Sequence, residues 1–311
     1  MHHQITTLFL ALLLIGKATA QDALPHVSSG TIQRIENFPS KFVTARNVDV
    51  WLPEGYNPEK KYSVLYMHDG QMLFDSTLSW NRTSWDVDDV IAKLLHDKRI
   101  EPVIVVGIWN GGATRHPDYF PQRPFESMTQ SEKDTVINEL MRSKWTTTPL
   151  KPVSDGYLQF LVKELKPYID KHYPTYADRK NTFVTGSSMG GLISMYAICE
   201  YPDVFGGAAC MSTHWPGTFT VQNNPIPDAF VRYMKANLPN PKTHKIYFDC
   251  GDQSLDALYP PLQKKVDEVM REKGFTEKNW ITKSFPGADH SEKAWRKRLD
   301  VPLVFLFGNK N

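Results

Sequence analysis

The chain is 311 residues long, 41% hydrophobic and 23% charged, which is ordinary globular usage and excludes a disordered polymer. Lys+Arg total 36 against Asp+Glu 34, a net charge of +2 with no long basic run, so nucleic acid is not an expected partner. Three cysteines are too few for a disulfide scaffold and offer no Cys-x-x-Cys pair, so no zinc site is expected.

Residues 5–15 (ITTLFLALLLI) form an apolar stretch with the length of a signal h-region, too short to span a bilayer. Ala18-Thr19-Ala20 follows with the small-x-small pattern of a cleavage site. Residues 1–20 are therefore expected to be a removable leader, with Gln21 opening a mature chain that is secreted or periplasmic. No later run reaches 18 apolar residues, so stable membrane insertion is not expected. Cys199, Cys210 and Cys250 all sit in apolar segments, where buried free thiols are expected.

From about residue 30 onward strand-like and helix-like patterns alternate. Residues 47–52 (NVDVWL) alternate with period two and end at Pro53, as in an antiparallel strand. Residues 62–67 (YSVLYM) and 102–108 (PVIVVGI) read as strands buried on both faces, with a helical pattern at 87–95 between them. Residues 112–155 carry five prolines and little periodicity, and are expected to be an irregular, lid-like insertion. An amphipathic helix follows at 157–173, then strands at 182–185 (TFVT), 206–211 (GGAACM), 245–250 (KIYFDC) and 280–285 (WITKSF), with a helix at 262–273. Such alternation implies βαβ crossovers, hence one α/β domain over 21–311 with a mostly parallel sheet and helices on both faces.

Between the strand TFVT and the apolar-periodic stretch LISMYAI stands Gly186-Ser187-Ser188-Met189-Gly190-Gly191. A nucleophilic serine must project from a sharp strand-to-helix turn, and flanking glycines let strand and helix approach there. Ser188 is the expected nucleophile and Ser187, one position early, should point away. A hydroxyl needs a base, and the base an orienting acid. In the order serine, acid, histidine both lie beyond residue 188. His290 occupies the loop after the last expected strand and is the expected base; His244 reads as a surface turn residue beside Asn240-Pro241. After KIYFDC, Asp256 is the expected acid and Asp252 the alternative, although either could cap a helix. Trp109, Asn110, His214 and Trp215 follow strand ends at the carboxyl edge of the sheet, where open α/β sheets bind ligands, and are candidate substrate contacts. Arg115 is a possible clamp for an anionic group, with a solvated surface arginine as the plainer reading.

These residues resemble the esterase family of α/β-hydrolases, which holds feruloyl and acetylxylan esterases, siderophore esterases and S-formylglutathione hydrolases. The resemblance is carried by His68-Asp69-Gly70-Gln71 with Leu73-Phe74-Asp75, the Ser188 motif, Gly251 to Tyr259, and Gly287-Ala288-Asp289-His290-Ser291-Glu292 with Trp295. It covers roughly residues 40–308 and departs from many relatives at Gln253, where they carry an acid. It implies the α/β-hydrolase fold, a Ser188–His290–acid triad, and an oxyanion hole from the Met189 N–H and a second N–H at Gly70 or Gln71. No metal or organic cofactor is implied. The expected activity is hydrolysis of carboxylic esters through an acyl-enzyme, on feruloyl or acetyl groups of plant polysaccharide; a siderophore trilactone esterase and a non-catalytic binding protein are the alternatives.

Overall fold

The computed structural model describes residues 23–308, so the leader expected over 1–20 lies outside the described residues. In chain order the elements are β1 (Thr31–Phe38), β2 (Arg46–Leu52), β3 (Ser63–His68), α1 (Val87–His96), β4 (Val103–Ile108), α2 (Arg115–Tyr119), α3 (Gln122–Glu126), α4 (Gln130–Arg142), α5 (Ser154–Gln159) and α6 (Lys166–His172). They continue with β5 (Thr182–Ser187), α7 (Met189–Glu200), β6 (Gly207–Met211), α8 (Ile226–Asn237), β7 (Lys245–Cys250), α9 (Pro260–Glu272), β8 (Trp280–Ser284), α10 (Glu292–Arg296) and α11 (Asp300–Phe307).

The strands form one eight-stranded sheet in the order β1-β2-β4-β3-β5-β6-β7-β8. The pairs β1–β2 and β2–β4 are antiparallel and the rest are parallel, which is the α/β-hydrolase arrangement. The strand period of two distributes the core. Val64, Tyr66, Val184, Ala208, Cys210 and Phe248 enter one apolar cluster with α5, α7, α8 and α9. Their neighbours Leu65, Met67, Phe183, Ala209, Met211 and Tyr247 enter a second cluster on the other face, with α1 and α11. Both faces are thus covered, and the carboxyl ends of β3, β5, β6, β7 and β8 open on a common edge.

Three segments differ from the sequence expectation. β1 (TIQRIENF) is an edge strand with most of its residues exposed or half-buried, so its side chains carry no apolar alternation to read. The helix expected without interruption over 157–173 switches to a π-helical stretch at Phe160–Leu165 before α6 resumes with Pro167 in its first turn. Proline has no N–H to donate, and the change of ladder accommodates that. The insertion expected to be irregular is helical: α2, α3 and α4 occupy it and pack on the first core cluster. Its prolines sit at or near helix starts, where the missing N–H costs little. α4 opens with a capping box, in which Thr129 accepts from the Glu132 N–H and Glu132 accepts from the Thr129 N–H.

The three cysteines are buried and free, as expected. Among the described residues no helix is long and apolar enough to cross a membrane.

Candidate active site

β5 ends at Ser187 and α7 begins at Met189, leaving Ser188 alone at the turn with φ 56° and ψ −119°. A non-glycine residue in that region stores on the order of 1–3 kcal/mol of strain, so its surroundings must hold it there. They do: the Ser188 N–H donates to Met211 O at 3.0 Å, and its carbonyl accepts from Leu192 at 3.1 Å and His214 at 3.2 Å. Gly186 is obligatory, because a Cβ there would lie 2.9 Å from the Gly190 backbone. Ser187 stays in the β5–β6 ladder opposite Met211 and is buried.

The loops after β7 and β8 meet beside this turn. His290 Nδ1 lies 2.5 Å from Asp256 Oδ1. A carboxylate oxygen only accepts, so the proton sits on Nδ1 and Nε2 is left basic. Asp256 is 0% exposed, and its other oxygen accepts from the Gly251 N–H and the Ser212 hydroxyl, both at 2.6 Å. Ser212 in turn accepts from Trp295 Nε1 at 3.0 Å and Arg298 Nη2 at 2.7 Å. Arg298 also pairs with the buried Asp249, whose carboxyl burial pushes up against the pull of that arginine. Asp252 does not reach the imidazole; it is half-buried and accepts from the Gly287 N–H at 2.7 Å. Together with Ala288 O, which accepts from Asp252 and Gln253 at 3.1 Å each, it fastens one loop to the other.

The opposite wall comes from the turn after β3. Asp69 has φ 59°, and Gly70–Met72 form a short 3₁₀ turn whose first N–H groups have no partner within the turn. Gly70 must lack a Cβ, which would come 2.6 Å from the Gly107 backbone. Arg115 holds Asp69 in a fork, Nε to Oδ1 at 2.6 Å and Nη2 to Oδ2 at 2.7 Å, and lies 5.2 Å over the Tyr119 ring. Burial alone would raise the Asp69 carboxyl, but the arginine charge and these hydrogen bonds outweigh it and hold it below its ordinary value. Arg115 is therefore neither a substrate clamp nor a solvated surface residue: it braces the turn.

Of the other expected contacts, Asn110 also braces this turn, its Nδ2 donating to Asp69 Oδ1 at 2.7 Å and its N–H to Gln71 Oε1 at 3.1 Å. Trp109 turns to the sheet's edge, donating to Asp49 Oδ2 at 2.8 Å beneath the Arg34 guanidinium, and forms no pocket wall. Trp215 is 1% exposed, donates to Gln263 and packs on Phe230 and Phe248, so it presents no face to a ligand. His214 is buried, and so is His244, which contacts Pro202 O and Asn240 O rather than lying on a surface turn.

The sequence reading assigned no role to Tyr259. Its buried phenol lies 2.8 Å from Nδ1 of His214, the residue whose backbone N–H bonds the Ser188 carbonyl, and its ring stands edge-on to His290 at 5.6 Å. Burial pushes His214 well below its ordinary value, so it meets the phenol as a neutral ring. Tyr259→Phe removes the hydrogen bond to His214 beside the Ser188 turn, worth about 1 kcal/mol, and should lower kcat about 5-fold without loss of fold. Unchanged kinetics would remove Tyr259 from the site.

Burial also pushes His68 down to about 3 and His116 down to about 4. Native histidines below the unfolded value near 6.5 bind protons less readily than the unfolded chain does. Stability is therefore full above about pH 6.5 and is lost as pH falls toward 4, by about 1.4 kcal/mol per unit for each such group. Urea midpoints should decrease from pH 7 to pH 5; a flat profile would contradict the burial of these rings.

A family model described as "Putative esterase" matches residues 40–306. An endo-1,4-beta-xylanase/feruloyl esterase of Xylanibacter ruminicola is 26% identical over 293 residues, covering 90% of this chain and 32% of that protein. Among solved structures, a mutant of the feruloyl esterase module from Clostridium thermocellum, complexed with sinapinate, superposes with TM-score 0.61 at 16% identity (91% of this chain, 89% of that one). The enterobactin esterase FES from Shigella flexneri gives 0.63 at 18% identity (91% and 60%). At these identities the structures speak for the fold.

Proposed function

We propose, from the premise that this chain belongs to the esterase family, that it is a serine carboxylesterase working through a Ser188–His290–Asp256 triad. The observation that carries this reading is the 2.5 Å contact from His290 Nδ1 to a fully buried carboxylate, beside a serine held at positive φ between strand and helix. Ser188 Oγ attacks the ester carbonyl while His290 Nε2 takes its proton. The N–H groups of Met189, at the head of α7, and of Gly70 or Gln71 receive the tetrahedral oxyanion. His290 then gives its proton to the leaving alcohol and later activates the water that frees the acid. Asp252 serves the loop rather than the imidazole.

The substrate class we propose is a feruloyl or acetyl ester carried by polysaccharide, in line with what the xylanase/feruloyl esterase relative is named for. A triply catecholate siderophore calls for uncompensated cations. Arg298, beside Asp256, and Arg115, on the turn after β3, are each paired with an aspartate. Residues 1–20 are proposed to export the chain. The test is hydrolysis of p-nitrophenyl acetate, methyl ferulate, acetylated xylan and a catecholate trilactone by the purified protein. Turnover of methyl ferulate or acetylated xylan above the trilactone supports the reading. Preference for the trilactone overturns the substrate class, and a folded protein inert on every ester overturns the esterase.

A further inference from the structure

We propose that the cleft between α4 and the segment 216–225 is a binding site for a neutral oligosaccharide, the sugar side of the ester; this rests on the esterase reading above. The cleft has a volume of about 490 Å³ and continues past Pro225 into a second depression of about 450 Å³. Each is the size of a small-molecule site. Its walls are hydroxyls and amides, Thr135 and Asn138 from α4 facing Thr218, Gln222 and Asn223. Four of the charges along it cancel in pairs, Glu139 with Arg142 at 2.5 Å and Asp228 with Lys265 at 2.9 Å, while Glu132, on the second depression, accepts from Thr129 in the α4 capping box. An anionic ligand finds no unmatched cation in these pairs, and the one carboxylate outside them is already held by the Thr129 N–H and hydroxyl. A fatty chain finds too many polar groups to desolvate.

Aromatic rings connect this cleft to the nucleophile. Trp145 and Phe219 are 42% and 39% exposed, a large apolar area to leave in water unless something covers it. Their rings meet edge to face at 4.6 Å, joining the end of α4 to the facing segment. Phe219 lies 6.3 Å from the His214 ring, and the His214 N–H bonds the Ser188 carbonyl at 3.2 Å. His214 itself is buried, and the exposed aromatic pair beside it stands between the Ser188 turn and the cleft that Thr218 and Thr220 line. Apolar ring faces beside amide and hydroxyl groups match a sugar, which has C–H faces and hydroxyl edges.

The experiment titrates the intact Ser188→Ala protein with unesterified xylotriose by calorimetry, then repeats it with Asn138→Ala/Gln222→Ala added. Saturable binding that weakens about 10-fold or more in the variant is expected for the loss of two amide contacts. No saturable binding, unchanged affinity in the variant, or tighter binding of trigalacturonate than xylotriose would overturn the proposal. Turnover of p-nitrophenyl acetate by the unmutated protein is read alongside, so that failure of the cleft and failure of the esterase are told apart. A kinetic companion compares kcat/KM on feruloylated xylo-oligosaccharide and on methyl ferulate. Their ratio should fall about 10-fold in the Asn138→Ala/Gln222→Ala protein, and an equal fall on both substrates counts against the cleft.

Discussion

Ser188→Ala is expected to lower kcat on any activated ester by roughly 10⁴-fold or more, with the fold intact. The backbone at residue 188 is held by Met211, Leu192 and His214, none of which depends on the hydroxyl. Alanine tolerates φ 56° no worse than serine, so the melting temperature should barely move. What disappears is the atom proposed to form the acyl-enzyme. The α7 N-terminus and the turn at Gly70 stay in place, so ligand binding should persist. Substantial residual turnover would mean that another group attacks the ester.

Asp256→Asn is expected to cost about 10⁴-fold in kcat, for a different reason. Asp256 accepts at both oxygens, from His290 on one side and from Gly251 and Ser212 on the other. An amide cannot accept on both sides. If its oxygen faces Gly251, its NH₂ faces His290 Nδ1, which must then accept; the ring proton moves to Nε2, where the base is needed. If the amide is turned the other way, two donors face a donor inside a sealed pocket. Asp252→Asn is the contrasting control. That side chain is half-buried at the loop and its amide oxygen can still accept from Gly287, so activity should fall several-fold at most. A larger loss at Asp252 than at Asp256 would reverse the assignment of the acid.

The fold was legible because both its signals are local. Continuous apolar runs at 62–67 and 102–108 marked the buried parallel strands, and Gly-x-Ser-x-Gly between strand and helix marked the turn where Ser188 stands. Loop order pointed to His290, which the fold places against Asp256. What the sequence could not carry was direction. Trp109 and Trp215 do follow strand ends at the carboxyl edge, but the strand period stops there. One turned to Asp49 and the other into the core against Gln263. Arg115 was misread because its partner Asp69 is 46 residues away and only the fold brings them together. Tyr259 lay in a stretch that already carried the family resemblance, yet a tyrosine before two prolines gives no hint that its phenol meets His214 beside the Ser188 turn. The insertion is the one place where a local signal was present and overlooked: Thr129-Gln130-Ser131-Glu132 is a capping box, and the prolines that suggested a loop stand at or near helix starts.

The central claim is that Ser188 is a nucleophile activated by His290. Its most direct test is covalent: the folded protein is treated with a fluorophosphonate and the labelled peptide is mapped by mass spectrometry, beside His290→Gln. A single phosphonylated residue, Ser188, is expected, labelled rapidly in the unmutated protein and orders of magnitude more slowly without the imidazole. Label on any other residue, or a folded protein whose Ser188 stays unmodified, would contradict it.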